Sequence, residues 1–143
     1  MANEITIDNR LMGYIALFES VTHENLRECV ETEDLVLFVV NEKKMGNIFK
    51  RNPNVVSVLK ERINKHIIMA EASRDLLTMT RNLLFRYGVR EIHINWKEGQ
   101  TDIQVSVAPE EIGRVIGKEG RNIKLFREVL ARYFPVHSLS VKQ

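Results

Sequence analysis

A short stretch in the last third of the chain has the composition of a phosphate-binding turn. Gly117 and Gly120 enclose Lys118 and Glu119, and further basic residues stand on both sides. Glycine lets a backbone turn sharply and approach a ligand without a Cβ atom in the way. A helix that begins directly after such a turn offers free N–H groups and a partial positive charge, which favour a phosphate. The spacing therefore predicts an anion-binding turn between two short helices.

The side chains around this turn supply charge and apolar surface. Lys118 and Arg121 are expected to add positive charge beside the phosphate. Ile116 and Ile123 are spaced to form an apolar wall against which unstacked bases can lie. Arg114 and Lys124 are expected to align the bound nucleic-acid strand. The residues predicted to contact nucleic acid are therefore Arg114, Ile116, Gly117, Lys118, Glu119, Gly120, Arg121, Ile123 and Lys124.

Other glycine-rich motifs are excluded by spacing. A P-loop needs four residues between its first two glycines, then a lysine and a hydroxyl residue. Only three residues separate Gly113 from Gly117, and Glu119 follows Lys118. A plain corner between two helices remains the alternative interpretation.

The same apolar pattern occurs twice, 67 positions apart (101 minus 34), when residues 34–46 are aligned with residues 101–113. Three alternating apolar residues and one glycine coincide in the two copies. Such a repeat indicates a duplicated structural unit. We therefore expect two domains, at residues 1–71 and 72–143.

Each copy predicts the same order of elements. In the second copy, Ser73 is placed to cap a helix over 74–87, and Gly88 ends that helix. Alternating apolar residues then predict two strands, with Trp96 packed in the core and base stacking as its alternative role. Two short helices and a final strand follow. The predicted fold is α+β: two tandem α-β-β-α-α-β units, each with helices packed on one face of a three-stranded sheet.

Positive charge is concentrated in two segments, although the net charge of the chain is only +2. Residues 43–65 hold seven cations against one acid, and residues 113–127 hold five against one. Two such segments indicate a surface for a polyanion, and two solvated helix faces are the alternative.

The sequence offers little for catalysis or for a metal. Cys29 is the only cysteine, so no intrachain disulfide or thiolate cluster can form. The four histidines lack metal-binding spacing, and Glu110 and Glu111 are adjacent and so do not share a helix face. We therefore expect no enzyme activity, cofactor, metal or small-molecule substrate. Residues 1–8 lack the features of a secretion signal, and no apolar stretch approaches a membrane span of about 18 residues, so we expect a cytoplasmic protein without a membrane partner.

The segment Ile116-Gly-Lys-Glu-Gly-Arg-Asn-Ile123 resembles the Ile-Gly-x-x-Gly-x-x-Ile core of KH domains. KH domains clamp about four backbone nucleotides with this loop. The α-β-β-α-α-β order is that of prokaryotic, type II KH domains. Two such units in so short a chain, with Tyr14-Ile-Ala-Leu-Phe-Glu19 in the first helix, resemble the archaeal NusA-like transcription factors.

This resemblance implies binding of single-stranded RNA and a role in transcription elongation, termination or antitermination beside RNA polymerase. Two alternatives remain. One is a ribosome-associated KH protein that acts on structured RNA. The other is a KH-fold module for protein interaction that has lost RNA binding.

The first copy departs from the KH motif, because the repeat places Lys50, Arg51, Asn52 and Pro53 at the positions of the glycine loop. Lys50 brings a side chain to the point of close approach, and Pro53 removes a backbone donor. Lys50 and Arg51 are therefore expected to make at most a weak RNA contact through their side chains.

Overall fold

The computed structural model describes residues 9–142. The segment inspected for a secretion signal, residues 1–8, lies outside the described residues. The chain divides into two compact units between Ala72 and Ser73, one position beyond the boundary expected from the repeat. Each unit has the element order α-β-β-α-α-β.

The first unit is built on a three-stranded sheet with β2 in the centre. Strand β2 runs antiparallel to β1 and parallel to β3. The elements are α1 (Asn9–Thr22), β1 (Leu26–Glu31), β2 (Leu35–Val40), α2 (Met45–Arg51), α3 (Val55–Ile63) and β3 (His66–Glu71).

An uninterrupted apolar run makes β2 the buried centre of this sheet, since all six of its residues are buried. Alternation along the strand turns Val36, Phe38 and Val40 toward the helices. The Phe38 ring stacks on Phe18 of α1, with 5.0 Å between the ring centroids. This packing fixes α1 on one face of the sheet.

The second unit repeats the arrangement around β5. This central strand is antiparallel to β4 and parallel to β6. The elements are α4 (Leu76–Leu84), a 3-10 turn (Phe85–Tyr87), β4 (Val89–Lys97), β5 (Gln100–Val107), a 3-10 turn (Pro109–Glu111), α5 (Ile112–Ile116), a 3-10 turn (Lys118–Gly120), α6 (Arg121–Ala131) and β6 (Val136–Val141).

Helix α4 begins at a different cap from the one expected. The carboxylate of Asp75 accepts hydrogen bonds from the Thr78 N–H at 2.9 Å and the Thr78 hydroxyl at 2.6 Å. Ser73 instead accepts a hydrogen bond from the Asp75 N–H at 3.1 Å. The cap prediction for Ser73 was wrong because two residues within three positions could each have supplied the capping oxygen. Gly88 does end the segment, with φ +67°.

The core prediction for Trp96 was also wrong, because 66% of this residue is exposed. Trp96 pairs across the hairpin with Thr101, so it lies on the same face of the sheet as Ile94. Alternation therefore identified its face correctly. However, Trp96 is the penultimate residue of β4, beside the hairpin turn, and alternation does not reveal where the covered part of a strand ends.

We expect Asp75→Ala to destabilise the protein more than Ser73→Ala, since only Asp75 caps α4. The hydrogen bonds from Thr78 hold the pKa of the Asp75 carboxyl below its usual value. This contribution is therefore present above the unfolded pKa of about 4 and is lost as the pH falls through the lower folded pKa. Chemical denaturation of the native protein and both variants at several pH values measures the difference. If the difference in free energy of unfolding between the native protein and Asp75→Ala does not become smaller in acid, the assigned cap is contradicted.

Candidate nucleic-acid interface

The loop between α5 and α6 has a backbone that only glycine adopts easily at two positions. Gly117 has φ +76° and ψ 172°, a combination essentially confined to glycine. Gly120 has φ +75° and ψ 15°, in the left-handed region. Glu119 is also left-handed, with φ +58°. The loop therefore makes three unusual backbone turns in four residues.

Backbone hydrogen bonds close this loop and leave two donors at its tip. The Gly117 N–H donates to the Gly113 carbonyl at 2.8 Å, and the Gly120 N–H donates to the Gly117 carbonyl at 3.1 Å. Within residues 9–142, the backbone N–H groups of Lys118 and Glu119 donate to no acceptor. Two adjacent N–H groups next to a helix N-terminus suit an anion such as a phosphate.

A buried asparagine, which the sequence did not single out, holds the two helices at this loop. Asn122 is only 6% exposed, and its side-chain amide donates to the Arg114 carbonyl at 3.0 Å. A Cβ atom on Gly117 would stand 2.6 Å from the Asn122 Cγ. Gly117 is therefore needed both for its backbone conformation and for the space that Asn122 fills.

The repeat contains a signal that points to Asn122. At an offset of 67 positions, Asn122 corresponds to Val55 of the first unit, which is fully buried. A polar residue at a position that is apolar in the other copy must find a buried hydrogen-bond partner. That partner is the carbonyl at the end of α5.

The charged side chains of the loop are largely exposed. The Arg114 side chain is 77% exposed, and Lys118 and Lys124 are exposed as well. The Glu119 carboxylate lies 3.2 Å from the Arg121 guanidinium, and these side chains are 70% and 36% exposed. Exposed ion pairs contribute about 0.2–1 kcal/mol, so a phosphate can compete for Arg121.

The two apolar residues of the predicted site lie on opposite sides of the loop. Ile116 is the last residue of α5, and Ile123 is in the first turn of α6. Both are partly exposed, whereas Val115 beside Ile116 is fully buried. The predicted contacts thus lie on one helix-loop-helix segment, in which buried residues anchor the helices and half-buried ones remain accessible.

The corresponding corner of the first unit has a different geometry. No residue from 50 to 54, all within the described part of the chain, has a positive φ. Helix α2 continues through Arg51, and the Asn52 N–H donates to the Ile48 carbonyl at 2.8 Å. The Arg51 guanidinium lies 2.9 Å from the Glu24 carboxylate, and Lys50 is exposed. This corner has cations but no glycine loop.

Other chemistry finds little support in the described residues. Burial, with smaller contributions from the carboxylates of Glu31 and Glu28, raises the pKa of the Cys29 thiol to about 12. The thiol therefore stays protonated and unreactive at neutral pH. Residues 9–142 contain no group of three or more His, Cys, Asp or Glu side chains that could hold a metal ion. In the same range, no helix has both the length and the apolar character needed to cross a membrane.

Comparison with known proteins gives consistent relatives. Residues 76–143 match the family model of the NusA-like second KH domain. The chain is 62% identical over 141 residues to the probable transcription termination protein NusA of Thermoplasma acidophilum, covering 99% of this chain and 98% of the relative. The protein of the same name from Halococcus morrhuae is 24% identical over 137 residues, covering 96% and 98% of the two chains.

A solved structure shares the fold over nearly the whole length. The crystal structure of APE1850 matches with a TM-score of 0.63 and 28% sequence identity, covering 95% of this chain and all of that one. The two three-stranded sheets with their helices, the glycine loop and the 62% identity to a named relative agree with one another. The chain therefore belongs to the archaeal NusA-like family of tandem KH-domain proteins.

Proposed function

We propose that this protein binds single-stranded RNA through the glycine loop of its second unit and acts in transcription termination, antitermination or elongation. The observation that carries the proposal is the pair of backbone N–H groups at Lys118 and Glu119, which lack a protein acceptor and stand among exposed cations. The role in transcription is supported by the relatives, which are named probable transcription termination proteins. RNA polymerase in the cytoplasm is the corresponding partner.

The loop geometry supports different roles for the backbone and for the side chains in binding phosphate. A phosphate binds the N–H groups of Lys118 and Glu119, and the charges of Arg114, Lys118 and Arg121 stabilise it. Lys124, one turn into α6, aligns the next phosphate. Because no side-chain charge discriminates bases in this arrangement, we expect modest sequence preference and a strong dependence of affinity on salt.

The half-buried isoleucines favour single strands over duplexes. Ile116 and Ile123 present apolar surface on opposite sides of the loop. Bases can lie against such surface only when they are unstacked and splayed out, as in single-stranded RNA. A duplex keeps its bases stacked and presents only its backbone to the protein.

The first unit has a secondary part in this proposal. Its corner lacks the backbone conformation of the clamp, and Arg51 is already paired with Glu24. Lys50 can still contact a phosphate through its exposed side chain. This unit therefore adds a weak contact to an RNA strand that the second unit binds.

The second candidate function is protein interaction without RNA binding. The altered corner of the first unit favours it, because a KH fold that binds protein needs no glycine loop. The intact loop of the second unit opposes it, since its two glycines at positive φ let a ligand approach the backbone closely.

The double variant Lys118→Asp/Glu119→Asp tests the assigned loop. It keeps both glycines but places carboxylates where a phosphate should bind, so affinity for single-stranded RNA should fall at least about tenfold. Fluorescence anisotropy with single-stranded RNA, duplex RNA and single-stranded DNA at two salt concentrations measures the loss. The matched control is Lys60→Asp/Glu61→Asp, which makes the same change on the exposed surface of α3.

Preferential binding of single-stranded RNA by the native protein and the control, lost in the loop variant, supports the proposal. Equal binding by the two double variants, or binding by none of the proteins, contradicts the assigned site and favours protein interaction. Co-sedimentation with ribosomal subunits, as against RNA polymerase, separates the ribosomal alternative from the transcriptional one.

Gly117→Ala should impair both stability and RNA binding more than Gly120→Ala. Both positions have positive φ, which costs roughly 1–2 kcal/mol for a residue with a Cβ. Only at Gly117 does the new Cβ collide with Asn122; at Gly120 it meets open space. Thermal unfolding and RNA titration of both variants test this order, and equal effects would show that the fit against Asn122 has no energetic role.

Glu119→Gln should bind single-stranded RNA about threefold more tightly than the native protein at low salt, because it removes the carboxylate that competes for Arg121. Glu98→Gln is the control, since it makes the same change of charge at an exposed position in the β4–β5 turn. Anisotropy titrations compare the two. A gain of equal size in the control would mean that net charge alone is responsible.

A further inference from the structure

The turn after α4 exposes an aromatic side chain that the fold does not use. Phe85 is 74% exposed, although α4 buries five residues along its opposite face. Its neighbour Tyr87 is only 3% exposed and belongs to the core. The turn is therefore held rigidly by Tyr87, while Phe85 presents its ring to solvent.

This turn lies beside the helix that leads to the glycine loop. The Tyr87 ring meets Phe126 of α6 edge-on, with 5.9 Å between the ring centroids. The Ala108 N–H donates to the Gly88 carbonyl at 3.1 Å, which joins the end of the turn to the segment entering α5. The turn Phe85–Tyr87 also contacts α5 directly. Tyr87 thus connects the turn to both helices of the loop.

Charged residues of the turn and of the segment 111–114 act electrostatically on the Tyr87 hydroxyl. Burial raises the pKa of Tyr87 to about 12, and the charges of Arg86, Glu111 and Arg114 act on the same hydroxyl. Arg114 belongs to α5, three residues before Gly117. Because α5 has only five residues, it spans about 7.5 Å. The turn therefore packs against the short helix whose C-terminal end leads into the glycine loop.

The sequence on both sides of Phe85 is basic. Residues 81–90 contain three arginines and no acid. Arg81 and Arg90 are both exposed. Arginine binds phosphate through a planar fork and stacks on aromatic rings. Exposed aromatic rings among such cations are the usual platform for bases of single-stranded nucleic acid.

We propose that Phe85 is a second RNA-binding position, on which a base stacks next to the nucleotides held by the glycine loop, with phosphates bound by the arginines of residues 81–90 and by Arg114. The proposal rests on the proposed function, because it extends the RNA strand held by the glycine loop along α5 to Phe85. A protein partner at Phe85 is the competing outcome. The three arginines of residues 81–90, together with Arg114 on α5, favour RNA.

The test compares two lengths of RNA. One oligonucleotide has about four nucleotides, the length that a KH loop holds, and the other has about ten. Phe85→Ala should weaken binding of the longer RNA about tenfold and leave the shorter one unchanged, since stacking on one aromatic ring has that order of magnitude. Phe85→Trp should retain tight binding. Met12→Ala is the control, because Met12 is another large apolar residue that is more than half exposed.

Each outcome has a distinct meaning. Loss confined to the longer RNA in Phe85→Ala, with native-like thermal unfolding, supports the second position. Unchanged binding of both lengths, or equal loss of both, overturns it and leaves Phe85 to a protein partner. Binding of neither RNA by the native protein would overturn the proposed function itself, and this inference with it. Extending the short RNA separately at its 5′ and 3′ ends then gives the polarity of the strand.

Discussion

The hydrogen bond from the Asn122 amide to the Arg114 carbonyl holds the candidate site together. It joins the last turn of α5 to the first turn of α6 across a loop of four residues. Since the amide is buried, an unpaired Asn122 would leave a polar group without a partner in the core. The backbone of Gly117 must therefore pass close to this side chain, and the N–H groups at the loop tip are positioned as a result. The geometry of the loop thus depends on a buried side chain.

The two units have the same fold but differ in the connection between their two consecutive short helices. At the positions of Gly117 and Asn122, the first unit has Lys50 and the buried Val55. An apolar residue packs in the core without a partner, so the corner needs no carbonyl acceptor and no left-handed glycine. Helix α2 accordingly extends further than α5, and the corner turns through Asn52. Introducing two glycines alone would not recreate the clamp there, because the buried amide that organises it would still be absent.

The fold could be read from the sequence because its signals are local and repeated. Alternation located β2 and β5, and the apolar run of β2 identified it as a buried strand. Gly88 ended its segment as expected, since its φ is positive. These signals could not decide which of two nearby polar residues caps a helix. The cap of α4 is Asp75 and not Ser73.

The candidate site was only partly visible in the sequence. Glycine spacing identified the loop, but the contact of Asn122 with Gly117 depends on how the two helices cross. The exposure of Trp96 likewise depends on where the packed part of the sheet ends. Phe85 was not singled out because it lies off the apolar stripe of α4, and a single exposed apolar residue is common on protein surfaces.

The burial of Cys29 has a practical consequence for biophysical work. The chain has one native thiol, it is 7% exposed, and almost none of it is thiolate at neutral pH. Thiolates are the nucleophiles that attack maleimide dyes and thiol-reactive nitroxide labels, so these reagents should spare this side chain in the folded protein. A cysteine introduced at an exposed position can therefore be labelled selectively without first removing the native one, which opens distance measurements between the units.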